Sequence, residues 1–197
     1  MPKVTFTHLT SFEIVKSLNI RILGNKDFMF LIRDPRDVIV SYYYQITKRK
    51  KTSLFSGSIN EFIRSGEYGI SKIISYMNLL SNAESISNKF LLVTYENLHE
   101  NFHRELKRIL NFMELSCREE FTELAVQHGE FSKMKEMEEK NKYKTSALSV
   151  KNPDDKNAFK VRFGKIGGYV NYFNKHEMDF MNKEINEKLS DKFLFYK

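Results

Sequence analysis

The sequence predicts a three-layer α/β protein, with a parallel central sheet flanked by helices in one domain. Three observations carry this. Two short runs, Phe28–Ile32 (FMFLI) and Phe90–Tyr95 (FLLVTY), are apolar almost throughout, as strands buried on both faces of a parallel sheet must be. Segments with helical apolar spacing lie between and after them. A chain of 197 residues, 41% hydrophobic and 14% aromatic, fills one core of ordinary domain size.

The elements follow in chain order. Lys3–His8 (KVTFTH) alternates, with Val4 and Phe6 on one face, and predicts a first strand. Phe28–Ile32 is the second. Pro35 to about Lys48 is a helix, and Ile59–Ser65 a short one. Tyr68–Asn82 carries Ile70, Ile73, Ile74, Met77 and Leu80 at helical spacing. Phe90–Tyr95 is the third strand. His99–Met113 places Phe102, Leu106, Ile109, Leu110 and Met113 on one stripe, and Arg118–His128 repeats the pattern with Phe121, Leu124 and Ala125. Residues Lys140–Lys160 are polar, carry Pro153, and predict a long mobile loop. Lys175–Leu189 closes the set with Met178, Met181, Ile185 and Leu189.

Composition narrows the classes. With 8 Gly and 3 Pro the chain is neither collagen-like nor low-complexity. No apolar run approaches the ~20 residues that span a bilayer, and MPKVTFTHLT has no signal-peptide core. One cysteine, Cys117, excludes an internal disulfide and a four-cysteine zinc site, and a reducing, cytoplasmic setting is expected. Lys+Arg 32 against Asp+Glu 25 gives +7, which suits nucleic acid, an acidic membrane surface or a phosphorylated small molecule, and equally suits simple solubility. The run Lys48-Arg49-Lys50-Lys51 closes a helix, where cations suit the dipole. No helix-turn-helix, zinc-finger or RNA-recognition signature accompanies it.

The strand-to-helix turn at Phe28–Tyr44 is the most informative segment. Asp34 stands at the N-cap position, Pro35 at the first helical position and Asp37 three residues after the cap. This sets a helix N-terminus at the carboxyl edge of a parallel sheet, where anions bind. Arg33 offers a planar fork of donors there, and Ser41 shares a helix face with Asp37. Two arrangements are open: Arg33 and Ser41 clamp a phosphate, or Arg33 pairs with Asp34 or Asp37 while Ser41 bonds back to the helix.

The string Ile32-Arg33-Asp34-Pro35-Arg36-Asp37-Val38-Ile39-Val40-Ser41-Tyr42-Tyr43 resembles the 3′-phosphate signature of sulfotransferases that use 3′-phosphoadenosine 5′-phosphosulfate (PAPS). The resemblance implies a P-loop-NTPase-like sulfotransferase fold in which Arg33 and Ser41 hold the 3′-phosphate. The later string Lys160-Val161-Arg162-Phe163-Gly164-Lys165-Ile166-Gly167-Gly168-Tyr169 is similar to the family's Arg-(Lys/Arg)-Gly-x-x-Gly signature. By that match Arg162 and the Gly164 amide meet the same phosphate, and Phe163 replaces a second cation. Tyr95, in Thr94-Tyr95-Glu96-Asn97-Leu98, matches the family's adenosine-contacting Tyr. Phe131 and Met134, in Glu130-Phe131-Ser132-Lys133-Met134-Lys135, match its adenine-lining pair, although on spacing alone they would be core.

Sulfuryl transfer needs a base for the acceptor. His99 and His103, four apart, fall among Glu100, Asn101 and Arg104 and read as a solvated helix face rather than a metal pair. His128 and His176 stand in polar helix ends. His8 ends an alternating strand at its carboxyl edge, and an imidazole titrates near neutrality. Pro2-Lys3-Val4-Thr5-Phe6-Thr7-His8 resembles the family's Pro-Lys-x-x-x-(Thr/Ser)-His, which implies His8 as catalytic base.

The resemblance runs in the family's order from Pro2 to about Phe173. The family's Pro-Lys-Ser-Gly-(Thr/Arg)-Thr-type loop, which grips the 5′-phosphosulfate, cannot be assigned, because no Ser-Gly-Thr follows Lys3. Residues 1–197 are therefore expected to form a single partial, N-terminally truncated sulfotransferase domain. The expected function is sulfuryl transfer from PAPS to a hydroxyl or amine of a small-molecule, glycan or lipid acceptor. No metal, nucleic acid or membrane span is called for, and activity is expected to be impaired by absence of the 5′-phosphosulfate loop. The alternatives are a non-catalytic scaffold of the same fold and a basic nucleic-acid-binding module.

Overall fold

The structure, a computed structural model, describes Val4 and residues 26–49, 52–140, 142, 150 and 152–197. The predicted strand Lys3–His8, with His8 itself, lies outside the described residues except for Val4. Strand β1 (Asp27–Ile32) pairs in parallel with β2 (Lys89–Thr94), Phe28 opposite Phe90 and Ile32 opposite Thr94. Between them run α1 (Pro35–Lys48), the short α2 (Ile59–Phe62) and α3 (Ile70–Ser81), followed by a 3-10 turn at Asn82–Ser85. After β2 come α4 (Tyr95–Glu100), α5 (Phe102–Phe112), α6 (Glu119–His128) and α7 (Phe131–Glu139). Helix α8 (Lys175–Lys188) precedes a final 3-10 stretch, Asp191–Tyr196.

The main core sits on one side of the sheet, and Val93 of β2 is buried on the other. Ile39 and Ile46 of α1, Ile70, Ile73 and Ile74 of α3, and Met181 and Ile185 of α8 are almost wholly buried, with Phe62 and Phe193 closing the ends. Rings of Phe55, Phe62, Tyr42, Tyr43 and Tyr68 meet edge-on or stacked beside the middle of α1. Such pairs add to the burial of their area.

Several expectations need correction. Helix α2 stops at Phe62 rather than Ser65 and is started by a Ser58–Glu61 capping box. Gly69 caps α3, so that helix begins at Ile70 rather than Tyr68. Tyr95 opens a helix instead of ending a strand, because the Thr94 side chain caps it by accepting from the Asn97 N–H. The helix predicted over His99–Met113 is broken at Asn101, whose side chain caps α5. His99 and His103 therefore belong to different helices, and His103 Nε2 meets Glu119 Oε1 at 2.7 Å. The segment Phe131–Glu139, which carried no helix expectation, is helical. Within the predicted loop, a 3-10 turn at Lys156–Ala158 buries Ala158 and brings Asp155 to 3.6 Å from Lys48 of α1.

Burial also departs from the apolar pattern. Phe30 and Ile32 of β1 face the core, whereas Met29 and Leu31 are 38% and 58% exposed, so β1 is covered on one face only among the described residues. The predicted stripe of α6 is likewise open: Phe121 and Leu124 are both exposed, and Thr122 is the buried residue of that helix. Among the described residues, no helix is long and apolar enough to cross a membrane.

Candidate functional site

The site begins where β1 ends. Asp34 caps α1 by accepting the Arg36 N–H at 2.8 Å, and Pro35 supplies the first helical position without a donor to satisfy. The Asp34 N–H in turn donates to Glu96 Oε1 of α4 at 3.0 Å, tying the turn to the end of β2. Arg36 lies over its own cap. Its guanidinium forks onto Asp34 at 2.8 Å and reaches Asn182 of α8 at 2.8 Å and the Tyr196 carbonyl at 3.1 Å. It therefore holds the helix start to the C-terminal elements.

Arg33 does pair with Asp37, Nη2 to Oδ2 at 2.9 Å, and the same nitrogen donates to the Lys165 carbonyl at 2.7 Å. Its guanidinium lies 4.1 Å from the centre of the Tyr95 ring. Asp37, 4% exposed, also accepts the Gly167 N–H at 2.9 Å and the Tyr169 N–H at 3.0 Å. The first turn of α1 thus grips the glycine-rich turn directly. Asp37 was legible as a helix-start residue, but this long-range role was not, because the partners are backbone amides 130 residues away.

Arg162 approaches from the other motif. Its guanidinium lies 3.9 Å from the centre of the Tyr44 ring of α1, and Nη1 donates to the Tyr172 hydroxyl at 3.4 Å. Burial, and then Tyr172 beside it, push the Tyr44 hydroxyl up from its ordinary range, against the Arg162 charge. Gly164 has φ +58°, and a Cβ there would lie 2.2 Å from Phe131 Cδ2. The glycine is therefore required both by its left-handed backbone and by the ring against it. Its carbonyl accepts from the Tyr95 hydroxyl at 3.4 Å.

These parts enclose one cavity of about 240 Å³. Arg33, Ser41, Tyr95, Phe131, Met134, Arg162 and Gly164 all line it, with Phe163 at the exposed rim. Seven residues drawn from four separate stretches of sequence thus meet in one space. His8 lies outside the described residues. In the run at Lys48 the two described cations are engaged: Lys48 pairs with Asp155, and Arg49 donates to Gln45 and to the Phe159 carbonyl; Lys50 and Lys51 lie outside the described residues.

The electrostatics of the cavity fit a phosphorylated ligand. Among the described residues, the buried side-chain nitrogens and oxygens without a hydrogen-bond partner are the Nε atoms of Arg33, Arg49 and Arg162, of which Arg33 and Arg162 line the cavity. Leaving such a donor unmade costs about 1–3 kcal/mol, more for a charged group, and an oxyanion would satisfy it. Burial, then the neighbouring Arg162, push Arg49 down to about 10, against the pull of Glu138. Burial, then Arg49, lower Lys160 as well. Positive charge is in excess at this end of the cavity. Aromatic and thioether surface from Tyr95, Phe131 and Met134 supplies the apolar wall that a purine needs.

Known proteins resemble the chain in sequence and in fold. A family model described as a sulfotransferase domain matches residues 2–193. Mouse sulfotransferase 1A1 is 31% identical over 176 residues, covering 87% of this chain and 57% of that protein. Mouse sulfotransferase SULT7A1, solved with PAP, superposes with a TM-score of 0.66 at 19% identity over 84% of this chain and 59% of that one. Retinol dehydratase, solved with androsterone and the inactive cofactor PAP, gives 0.64 at 23% identity over 83% and 47%. The chain spans 57–64% of the length of the first curated relatives it matches. The match of the family model over nearly all its residues, on a fold that brings both basic motifs to one cavity, establishes that the chain belongs to the sulfotransferase domain family.

Proposed function

We propose that the cavity binds the adenosine 3′-phosphate portion of PAPS and that the chain takes part in sulfuryl transfer to a hydroxyl or amine of a small-molecule acceptor. The observation that carries this reading is the meeting of Arg33 and Arg162 in one cavity, each with a buried Nε that lacks a partner. In this reading Arg33, Ser41, Arg162 and the Gly164 amide hold the 3′-phosphate, and Tyr95, Phe131 and Met134 hold the adenosine. PAPS, when bound, supplies the sulfuryl group. His8 is proposed to take the acceptor's proton, as an imidazole near neutral pH is suited to do. The retinol and androsterone bound by retinol dehydratase support a small apolar alcohol as acceptor. The single Cys117 supports a cytoplasmic setting.

Calorimetry on the full chain tests the reading with two probes, adenosine 3′,5′-bisphosphate and adenosine 5′-phosphate. The bisphosphate is expected to bind at least about tenfold more tightly, since one charged hydrogen bond is worth ~1.5–3 kcal/mol. Equal affinities would remove the assignment of Arg33 and Arg162 to a 3′-phosphate. Transfer from PAPS to a panel of phenols, alcohols and amines tests the chemistry, with His8→Ala expected to abolish turnover while leaving bisphosphate affinity unchanged.

A further inference from the structure

Glu138 stands on α7 one turn beyond Met134 and two beyond Phe131, on the face those residues turn toward the cavity. It is 8% exposed. Its two carboxylate oxygens accept the backbone N–H groups of Lys160, at 2.7 Å, and Val161, at 2.8 Å. Arg49 donates to the carbonyl of Phe159, one residue earlier. Three successive residues directly before Arg162 are therefore held through their backbone by side chains from α7 and the end of α1. Beyond Arg162 the same strap is held again, where Asp37 accepts from Gly167 and Tyr169.

By charge alone, a buried carboxylate near an anion site opposes the anion. Glu138 also lies within electrostatic reach of Arg49 and Lys160, whose excess charge it partly offsets. Its two backbone hydrogen bonds act in the other direction, because they fix the stretch of chain from which Arg162 projects. We propose that Glu138 is a positioning residue that sets the Arg162 guanidinium for the ligand's 3′-phosphate. This rests on the nucleotide reading of the cavity. A guanidinium already in place loses less entropy on binding, so the brace raises affinity although its charge is unfavourable.

The two effects have opposite signs, which makes the test sharp. Glu138→Gln removes the charge and replaces one acceptor oxygen by a donor that cannot serve a backbone N–H. Calorimetry on the full chain with adenosine 3′,5′-bisphosphate is expected to show about a tenfold loss of affinity. Adenosine 5′-phosphate, which lacks the 3′-phosphate, is expected to bind as before. Glu138→Asp keeps the charge and is one methylene shorter, and it is expected to lose affinity for the bisphosphate too; it carries the test alone should Glu138→Gln fail to fold. Bisphosphate affinity that is unchanged or tighter in the variant overturns the inference, as does an equal loss for both probes. A wild-type chain that does not prefer the bisphosphate sinks the nucleotide reading itself, a result that the variants do not enter.

Discussion

The two ends of the cavity are held by different physics. Arg33 is set first by its chain neighbours: a strand that runs out at Ile32, a cap at Asp34, a proline at the first helical position and a partner at Asp37. The Tyr95 ring and the Lys165 carbonyl are added from elsewhere in the chain. Arg162 is placed by remote side chains, with Tyr44 under it, Tyr172 beside it, and Arg49 and Glu138 holding the residues before it. One cation begins from a helix start that a few consecutive residues specify. The other depends on a core that must assemble first. Local signals can build half of a binding site, and tertiary packing must bring the other half to it.

The largest expected effect comes from removing either cation. Arg33→Ala and Arg162→Ala should each weaken adenosine 3′,5′-bisphosphate by about 1.5–3 kcal/mol, tenfold to a hundredfold, in a calorimetric titration. If both meet one phosphate, the double variant should depart from the sum of the single losses by at least ~0.5 kcal/mol. Strict additivity would put the two guanidinium groups on different parts of the ligand.

The same division explains what was legible in the sequence. The helix start at Asp34–Asp37 and the stripe of Ile70, Ile73, Ile74 and Met77 are local or periodic, and the structure has them as read. The break at Asn101 was missed because a capping side chain overrode an unbroken apolar period. The exposure of Met29, Leu31, Phe121 and Leu124 was missed for another reason: periodicity says which residues share a face, not whether anything covers it. Glu138 carried no signal at all. It reads as one more acid in a charged helix, and its partners are two backbone amides over 20 residues on.

The remote half can be stressed at its tightest point. Gly164→Ala must accept φ +58° and a Cβ 2.2 Å from the Phe131 ring, which should cost about 1–3 kcal/mol and lower Tm by several degrees. Gly66→Ala is the control, since a Cβ there meets nothing within 4 Å. Thermal unfolding of the two variants separates the special backbone from the general cost of replacing a glycine. A smaller change, in the opposite direction, is expected from Phe163→Lys. Phe163 is 62% exposed at the cavity rim, so a lysine there should fold normally and add a screened cation worth about 0.2–1 kcal/mol toward the bisphosphate. No gain at low salt would mean that the rim lies beyond the ligand's phosphate.

A last effect should appear where the C-terminal segment meets the cap of α1, and only at high pH. The Tyr196 hydroxyl donates to Glu96 Oε2 at 2.6 Å, and Glu96 in turn accepts from the N–H of Asp34. Burial, and then Glu96, raise Tyr196 far above the ordinary tyrosine value near 10. Below that ordinary value both folded and unfolded chains keep the proton, and the contribution to stability is complete. Above it the unfolded chain releases the proton while the folded chain holds it, so stability falls as pH rises, by up to about 1.4 kcal/mol per pH unit. Tyr196→Phe should remove about one proton's worth of that slope in denaturant titrations above pH 10. Tyr44→Phe, beside Arg162, should remove less, because Arg162 opposes the rise there. Equal changes at the two positions would mean that the cap and the brace are coupled to the core alike, and the contrast between local and remote support would not extend to their titration.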